Sequence, residues 1–379
     1  MKILFANLSS LKFDVAMPGG EPLGGSESCV CYLARQLAGN GHDVTLVARL
    51  PENTPAQVLG VRHHPVEVIR KQTFFETEKF NVIVTSNAVV ACPRFREYSP
   101  ASVNVFWDHL PPDQQAISPL GNPLVRQAID CIVYVSAWQK IETERRFGLD
   151  MSNRVLANGV TPSFEGMFAS PADLLAAKQN RATYTSVPDR GLSELLDVWA
   201  GLEGDTSLDV YSSMRVYQAD DEACAGLILR AREIPLVKWH GSVGQNDLAV
   251  RLRPAAFLAY PCVTTETFCL AALEAMAAGM KVIATDTGGI AATTMGFADL
   301  LPTRSGDSRE QFMRNYRELL NRNINDFRRN PVAWSERAFA QAEAVNRQCR
   351  WEQRAREWED LLYELAERKR AVATRQSSG

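Results

Sequence analysis

Residues 261–289 read PCVTTETFCLAALEAMAAGMKVIATDTGG, and they follow the short apolar run AAFLAY at 255–260. An apolar run of that length, bounded by Pro and polar residues, reads as a buried strand. Residues 268–278 are rich in Ala, Leu and Met and read as a helix stopped at Gly279, with Thr264 and Thr265 placed to cap it. KVIATD at 281–286 reads as a second buried strand. Strand, loop, helix and strand together make one parallel crossover.

Two carboxylates lie inside that unit. Glu266 sits in the loop at the carboxyl end of the first strand, and Glu274 about two turns along a helix whose neighbours are Leu270, Ala271, Ala272, Leu273, Ala275 and Met276. A carboxylate among such neighbours needs a partner or a polar cleft. Ligands of open parallel sheets collect beyond the carboxyl ends of the strands, and the free amides of a helix start favour an anion such as a diphosphate. Glu274 is then placed to accept hydrogen bonds from sugar hydroxyls. The local chemistry leaves a structural alternative open, with Glu266 as a cap and Glu274 held by a buried Arg.

The pattern Glu266, seven residues, Glu274, then Ala-Met-Ala-Ala-Gly, a strand and Asp-Thr-Gly-Gly resembles the donor-site signature of retaining glycosyltransferases of the GT-B fold, family 4. That family usually carries Glu-Gly-Phe-Gly-Leu where this chain has Glu266-Thr267-Phe268-Cys269-Leu270. Both glycines are replaced, so the loop has less backbone freedom.

Outward from this unit the same strand–helix plan recurs. KILFANL at 2–8 reads as a strand, followed by a Gly-rich loop at 18–28, a helix expected from Ser26 with Val30, Leu33 and Leu37 inward, and a strand at 43–49. The loop lacks a tight GxGxxG directly after the strand, which disfavours an NAD oxidoreductase. Residues 81–86, 103–109 and 131–136 read as further strands that place Ser86, Asp108, His109 and Ser136 at their carboxyl ends. Ser136 opens a helix with a basic face (Lys140, Arg145, Arg146), read as solvated. Residues 154–160, RVLANGV, lead into a hinge expected at 161–180. Beyond it, 181–199 reads as a strand, a loop and a helix, further strands are read at 207–213, 237–241 and 298–302, and a short helix over 246–253. Residues 331–369 read as charged and helical, with Trp334, Trp351, Trp358 and Leu361 at helical spacing. The expected domains are 1–165 on the acceptor side and 175–345 on the nucleotide-sugar side. A terminal helix at 346–369 is expected to pack back on the first domain, before a disordered tail at 370–379.

The architecture expected is therefore α/β, two Rossmann-like doubly wound parallel sheets facing across a cleft. Length alone favours two domains, since 379 residues exceed one ordinary core. A net charge of −3 advertises neither nucleic acid nor an anionic membrane. No run of eighteen apolar residues exists to span a bilayer, and MKILFANL enters a strand with no signal region. Eight scattered cysteines without a CxxC pair read as reduced thiols, and the expected location is the cytoplasm, with at most peripheral membrane contact. The five histidines show no metal-ligand spacing, and no two aspartates stand two positions apart.

The resemblance implies roles that local patterns do not. It implies that Gly24, Gly25 and Ser26 lie over the donor phosphates and acceptor, that His109 contacts the transferred sugar, and that Arg190, before Gly191, forks onto the diphosphate. It implies that Glu266 positions the sugar, that Glu274 holds the ribose, and that Thr267, Phe268, Cys269, Leu270, Gly241 and Val243 line the nucleotide sugar. His240 is read as structural. The family's second cation, about five positions before Arg190, falls near Tyr184 or Thr185, neither of them basic, with Arg215 as a substitute. The segment Asn158-Gly159-Val160 resembles the family's Asn-Gly-Val/Ile-Asp, which marks the passage from the first domain to the second. The implied activity is metal-independent, retaining transfer from a UDP- or GDP-sugar, with no cofactor, to a carbohydrate, lipid-linked, small-molecule or protein acceptor. A non-catalytic GT-B scaffold and a sugar-nucleotide epimerase are the alternatives.

Overall fold

The computed structural model describes residues 1–302 and 308–377. The chain divides into two units: Met1–Pro18, Gly24–Gly159 and Trp351–Gly379 form the first, and Gly19–Leu23 with Val160–Arg350 the second. The division at Gly159/Val160 falls just before the stretch expected to be the hinge.

The first unit is built on eight strands: β1 (Lys2–Asn7), β2 (Asp43–Ala48), β3 (Gln57–Val58), β4 (Val61–Pro65), β5 (Val82–Ser86), β6 (Val103–Asp108), β7 (Cys131–Tyr134) and β8 (Asn153–Val155). Their order is β3-β4-β2-β1-β5-β6-β7-β8, and every pairing is parallel except β3 with β4. The central strands are buried on both faces, which is why they read as continuous apolar runs. One face carries Leu4, Ala6 and Ile83 under Phe75 and Phe95, and Phe106, Ile132 and Tyr134 under Ile117, Leu120 and Val125. On the other face Trp107 meets Trp358 of the terminal helix Trp351–Ser377 at 4.9 Å in an edge-on pair, and Trp351 approaches Tyr32 of helix Gly25–Gly39. Gly159 belongs to this arrangement, since a Cβ there would stand 2.7 Å from the Trp351 ring.

The second unit has six parallel strands: β9 (Gln179–Tyr184), β10 (Ser207–Val210), β11 (Val237–Trp239), β12 (Ala255–Tyr260), β13 (Lys281–Asp286) and β14 (Asp299–Pro302), in the order β11-β10-β9-β12-β13-β14. The order reverses between β9 and β12, which opens a crevice at their carboxyl ends. Buried Lys178 donates to the carbonyls of Arg253, Ala255 and Ala278 and ties two helix ends to the start of β12.

Several sequence expectations are corrected. The terminal helix does not stop at Lys369 but continues to Ser377, through an Ala- and Arg-containing segment with good helix propensity; residues 378–379 of the expected tail lie outside the described residues. Trp334 does not join Trp351 and Trp358. It sits in helix Pro331–Gln348 and packs on Phe257 and Phe327 of the second unit. The Gly-rich loop hands over to its helix at Gly24, so Ser26 lies inside the first turn and caps nothing. The helix of the organising stretch runs Leu270–Ala277, two residues shorter at its start than expected. Its N-cap is Cys269, and Thr264 and Thr265 cap nothing. Helix Arg309–Arg329 and the β3–β4 ribbon were not expected.

All eight cysteines are buried. On helix Ala137–Phe147, Lys140 pairs with Glu144 and Arg145 with Glu142, as a solvated basic face would. Among the described residues no helix is long and apolar enough to cross a membrane.

Candidate active site

The strand-order reversal of the second unit places two loops side by side. The loop after β9 ends in Arg190-Gly191, and the loop after β12 carries Glu266. Gly191 is the N-cap of helix Leu192–Ala200 at φ +97°, and a Cβ on it would stand 2.0 Å from the Pro261 carbonyl oxygen. Only glycine lets the two loops come so close. Their side chains then meet: Arg190 Nη1 donates to Glu266 Oε1 at 2.7 Å, and the Tyr260 hydroxyl donates to the same oxygen at 2.5 Å. Burial works to lower the Arg190 pKa, but the Glu266 carboxylate outweighs it and holds the guanidinium more basic than usual.

The Asp286-Thr287-Gly288-Gly289 segment anchors this loop through its backbone. Gly289 N–H donates to the Glu266 carbonyl at 2.7 Å, and Gly288, at φ +62°, has no room for a Cβ because that oxygen would lie 2.0 Å away. The two replaced glycines differ in consequence. Cys269 is left-handed at φ +64°, a conformation that suits glycine, whereas Thr267 is not among the positive-φ residues. The amides of the helix start at Leu270 open at this same strand edge.

Glu274 is 6% exposed and is held by Thr161, whose hydroxyl donates to Oε1 at 2.5 Å, and by Gln245 Nε2 at 3.4 Å. Among the described residues no arginine pairs with it. Burial raises its pKa to about 7, with the Thr161 bond working in the opposite direction. Gly241, at φ +73°, Ser242 and Val243 follow β11, half-buried, and the Ser242 hydroxyl has no partner among the described residues. Gly244 packs on Gly20, leaving no room for a Cβ. His240 bonds Asp209 at 2.8 Å and stacks on Tyr211, which is a structural arrangement. Tyr184, near the place of the expected second cation, is buried and donates to the Val187 carbonyl. Arg215 is exposed on a turn after β10.

In the first unit His109 follows β6. Its backbone N–H donates to Asn87 Oδ1 at 3.3 Å, and its ring lies 4.5 Å from that of Trp107. Burial lowers its pKa to about 3, opposed by a hydrogen bond with Asn158, so the ring is neutral at physiological pH. Asp108 beside it is fully buried and raised to about 7 by burial, while the Leu110 amide favours its charged form. Gly24 and Gly25 start the helix whose first turn carries Glu27. That buried carboxylate is raised by burial and stabilised by its own backbone amide and by Ser9 and Asn7. Sequence reading missed Glu27, although Gly-Gly-Ser-Glu at a helix start was a signal for it. It also missed Thr161 and Gln245 as partners of Glu274.

A cavity of about 690 Å³ lies elsewhere in the second unit, lined by residues such as Lys281, Asp299, Arg322, Trp334 and Arg337. Lys281 and Asp299 begin β13 and β14, so it opens at the amino edge of the sheet, away from the switch point. Its cations are paired with Asp299 and Asp326. Among the described residues no three His, Cys, Asp or Glu side chains are grouped to hold a metal ion.

Residues 23–164 match the family model described as Glycosyltransferase Family 4, and residues 187–322 the one described as Glycosyl transferases group 1. The chain belongs to the group 1, family 4 glycosyltransferases. The second match contains Arg190, Glu266 and Glu274, and the first contains Gly24, Gly25, Ser26 and His109. Among solved structures, a sucrose-phosphate synthase from Thermosynechococcus elongatus aligns with TM-score 0.72 and 20% identity over 96% of this chain and 99% of that one. Anabaena HepE in complex with UDP-glucose aligns at 0.70 and 16% over 96% and 100%. An α,α-trehalose 6-phosphate synthase from Burkholderia multivorans aligns at 0.68 and 13% over 96% and 98%. At these identities the likeness shows the GT-B fold. No curated protein matches the glycosyltransferase by sequence.

Proposed function

We propose that this glycosyltransferase moves a sugar from a nucleoside diphosphate sugar to an acceptor hydroxyl with retention and without a metal ion. The observation that carries this reading is the Arg190–Glu266–Tyr260 cluster at the strand-order reversal, at the same edge as the start of the Leu270–Ala277 helix. Transfer breaks the bond between the anomeric carbon and the diphosphate oxygen, and charge builds on the leaving group. Among the described residues Arg190 engages Glu266 through Nη1, and its remaining N–H groups can meet phosphate oxygens. The acceptor hydroxyl forms the new bond, and its proton passes to an oxygen of the departing diphosphate. Glu266, fixed by Arg190, Tyr260 and more weakly by the Cys262 thiol, is the group that orients the sugar hydroxyls. Glu274 accepts from the ribose, and His109, neutral at working pH, serves as a hydrogen-bonding group for the sugar. UDP is the first nucleotide to try, since HepE was crystallised with UDP-glucose; GDP is the second. The acceptor is a carbohydrate, lipid-linked, small-molecule or protein hydroxyl.

The decisive experiment follows donor turnover by NMR in excess EDTA. Expected are an α-anomer product from an α-linked donor, unchanged rates in EDTA, and turnover reduced at least a hundredfold in Glu266→Ala, the scale typical of losing a group that acts in the transition state. Activity lost in EDTA and restored by Mn²⁺ would exclude the metal-free mechanism, and a β-anomer would exclude retention. A scaffold without catalysis, the reading favoured by the exposed position of Arg215 and the neutral Tyr184, predicts that donor is neither transferred nor hydrolysed.

A further inference from the structure

Glu274 can accept from a ribose only if its carboxylate is held in one orientation, and nothing on its own helix does this. Its helical neighbours Leu270, Ala271, Leu273, Ala277 and Ala278 are all apolar. Among the described residues two side chains from elsewhere donate to its carboxylate, both to Oε1: Thr161 Oγ1 at 2.5 Å and Gln245 Nε2 at 3.4 Å.

The two donors share a scaffold. Thr161, 2% exposed, precedes the 3-10 turn Pro162–Phe164 and is pinned by its own carbonyl, which accepts from Phe164 N–H at 2.9 Å. Gln245 opens the helix Gln245–Leu252. Ser163 Oγ donates to Asn246 Oδ1 at 2.7 Å and joins the turn to the helix start. The neighbouring Val160 N–H is fixed to the Cys349 carbonyl at 2.7 Å.

We propose that Thr161 and Gln245 are positioning residues for nucleotide binding: by occupying Oε1 they fix the Glu274 carboxylate and present Oε2 to the ribose hydroxyls of the donor. This rests on the assignment of Glu274 to the ribose. The chemistry at position 161 suits the task. An aspartate, the residue in the family segment that this stretch resembles, would set a second anion against Glu274, whereas a hydroxyl donates to it. In a site that burial drives toward the protonated acid, the Thr161 bond favours the charged, accepting form.

The test is a double-mutant cycle read by calorimetry on the full chain. The probe is whichever of UDP, GDP, ADP and CDP gives the largest thermal shift. Glu274→Ala is expected to weaken it about tenfold or more, as for the loss of charged hydrogen bonds. Thr161→Val is expected to weaken it about five- to tenfold, about one neutral-to-charged hydrogen bond. Thr161→Ser should stay within about twofold of wild type, because the hydroxyl is kept. In the Glu274→Ala background Thr161→Val should have no further effect, because a positioning residue has nothing left to position. Gln245→Leu repeats the cycle should Thr161→Val fold poorly. Additive losses, or wild-type affinity in Thr161→Val and Gln245→Leu, overturn the inference while the ribose assignment stands. Unchanged affinity in Glu274→Ala, or no binding by any of the four nucleotides, overturns the ribose assignment and the inference with it.

Discussion

Cys269 occupies a left-handed conformation at φ +64° directly before the helix that carries Glu274. A side chain there costs about 1–2 kcal/mol. Replacing it with glycine relieves that strain but gives up about 1 kcal/mol of thiol burial and about 0.4–1 kcal/mol of unfolded-chain entropy. The opposing effects nearly cancel, so Cys269→Gly should change stability by less than about 1 kcal/mol. Cys269→Val, branched where φ is positive, should lose about 2–3 kcal/mol. Urea midpoints decide between this and an ordinary core site, where both changes would be clearly destabilising. The pKa of Glu274, raised by burial from its usual 4.5 to about 7, sets a second test at this scale. Between those values the folded chain keeps a proton that the unfolded chain has released, so this group's contribution to stability falls as pH rises from about 4.5 to 7 and is constant above. Glu274→Gln mimics the protonated acid. Its stability relative to wild type should therefore rise by about 3 kcal/mol from pH 4.5 to 7.5, at about 1.4 kcal/mol per pH unit. A constant difference across that range would show that Glu274 titrates normally.

At the scale of elements, the terminal helix Trp351–Ser377 is the part of the first unit most remote in sequence from the rest of it. Trp358 is fully buried edge-on against Trp107. Trp358→Ala should destabilise the protein by about 3–5 kcal/mol, read by chemical denaturation; a loss under about 1 kcal/mol would mean that the helix is dispensable to that core. The sequence made the long central strands and this helix legible because parallel, doubly covered strands are continuous apolar runs and the tryptophans fall at helical spacing. It did not make β3 and β4 legible: QV and VRHHP are short and partly polar, β4 being held by pairing with β2 and β3 by pairing with β4. Nor did it reveal helix Arg309–Arg329, whose buried Tyr316, Leu320 and Ile324 are set among many arginines. At the candidate site, the spacing of Glu266 and Glu274 singled them out. The partnerships Arg190–Glu266 and Thr161–Glu274 cross 76 and 113 residues, and no local pattern carries them.

At the scale of the whole molecule, each unit has its own sheet and its own buried core, so their opening equilibria need not coincide. Arg190, Glu266 and Glu274 all belong to the second unit, together with Thr161 and Gln245. A nucleoside diphosphate that binds these groups stabilises the state that contains them by RT ln(1 + [L]/Kd), about 2.7 kcal/mol at a hundredfold excess over Kd. Native-state hydrogen exchange with and without UDP or GDP reads this strand by strand. The slow amides of β9, β12 and β13 should become about a hundredfold slower, the same free energy expressed as a rate. Those of β1, β5 and β6 should slow less. Protection gained chiefly by β1, β5 and β6 would place nucleotide affinity in the first unit and remove Glu274 from the ribose. Equal protection everywhere would instead show that the two units open as one, which the cycle at Thr161 would then have to be read against.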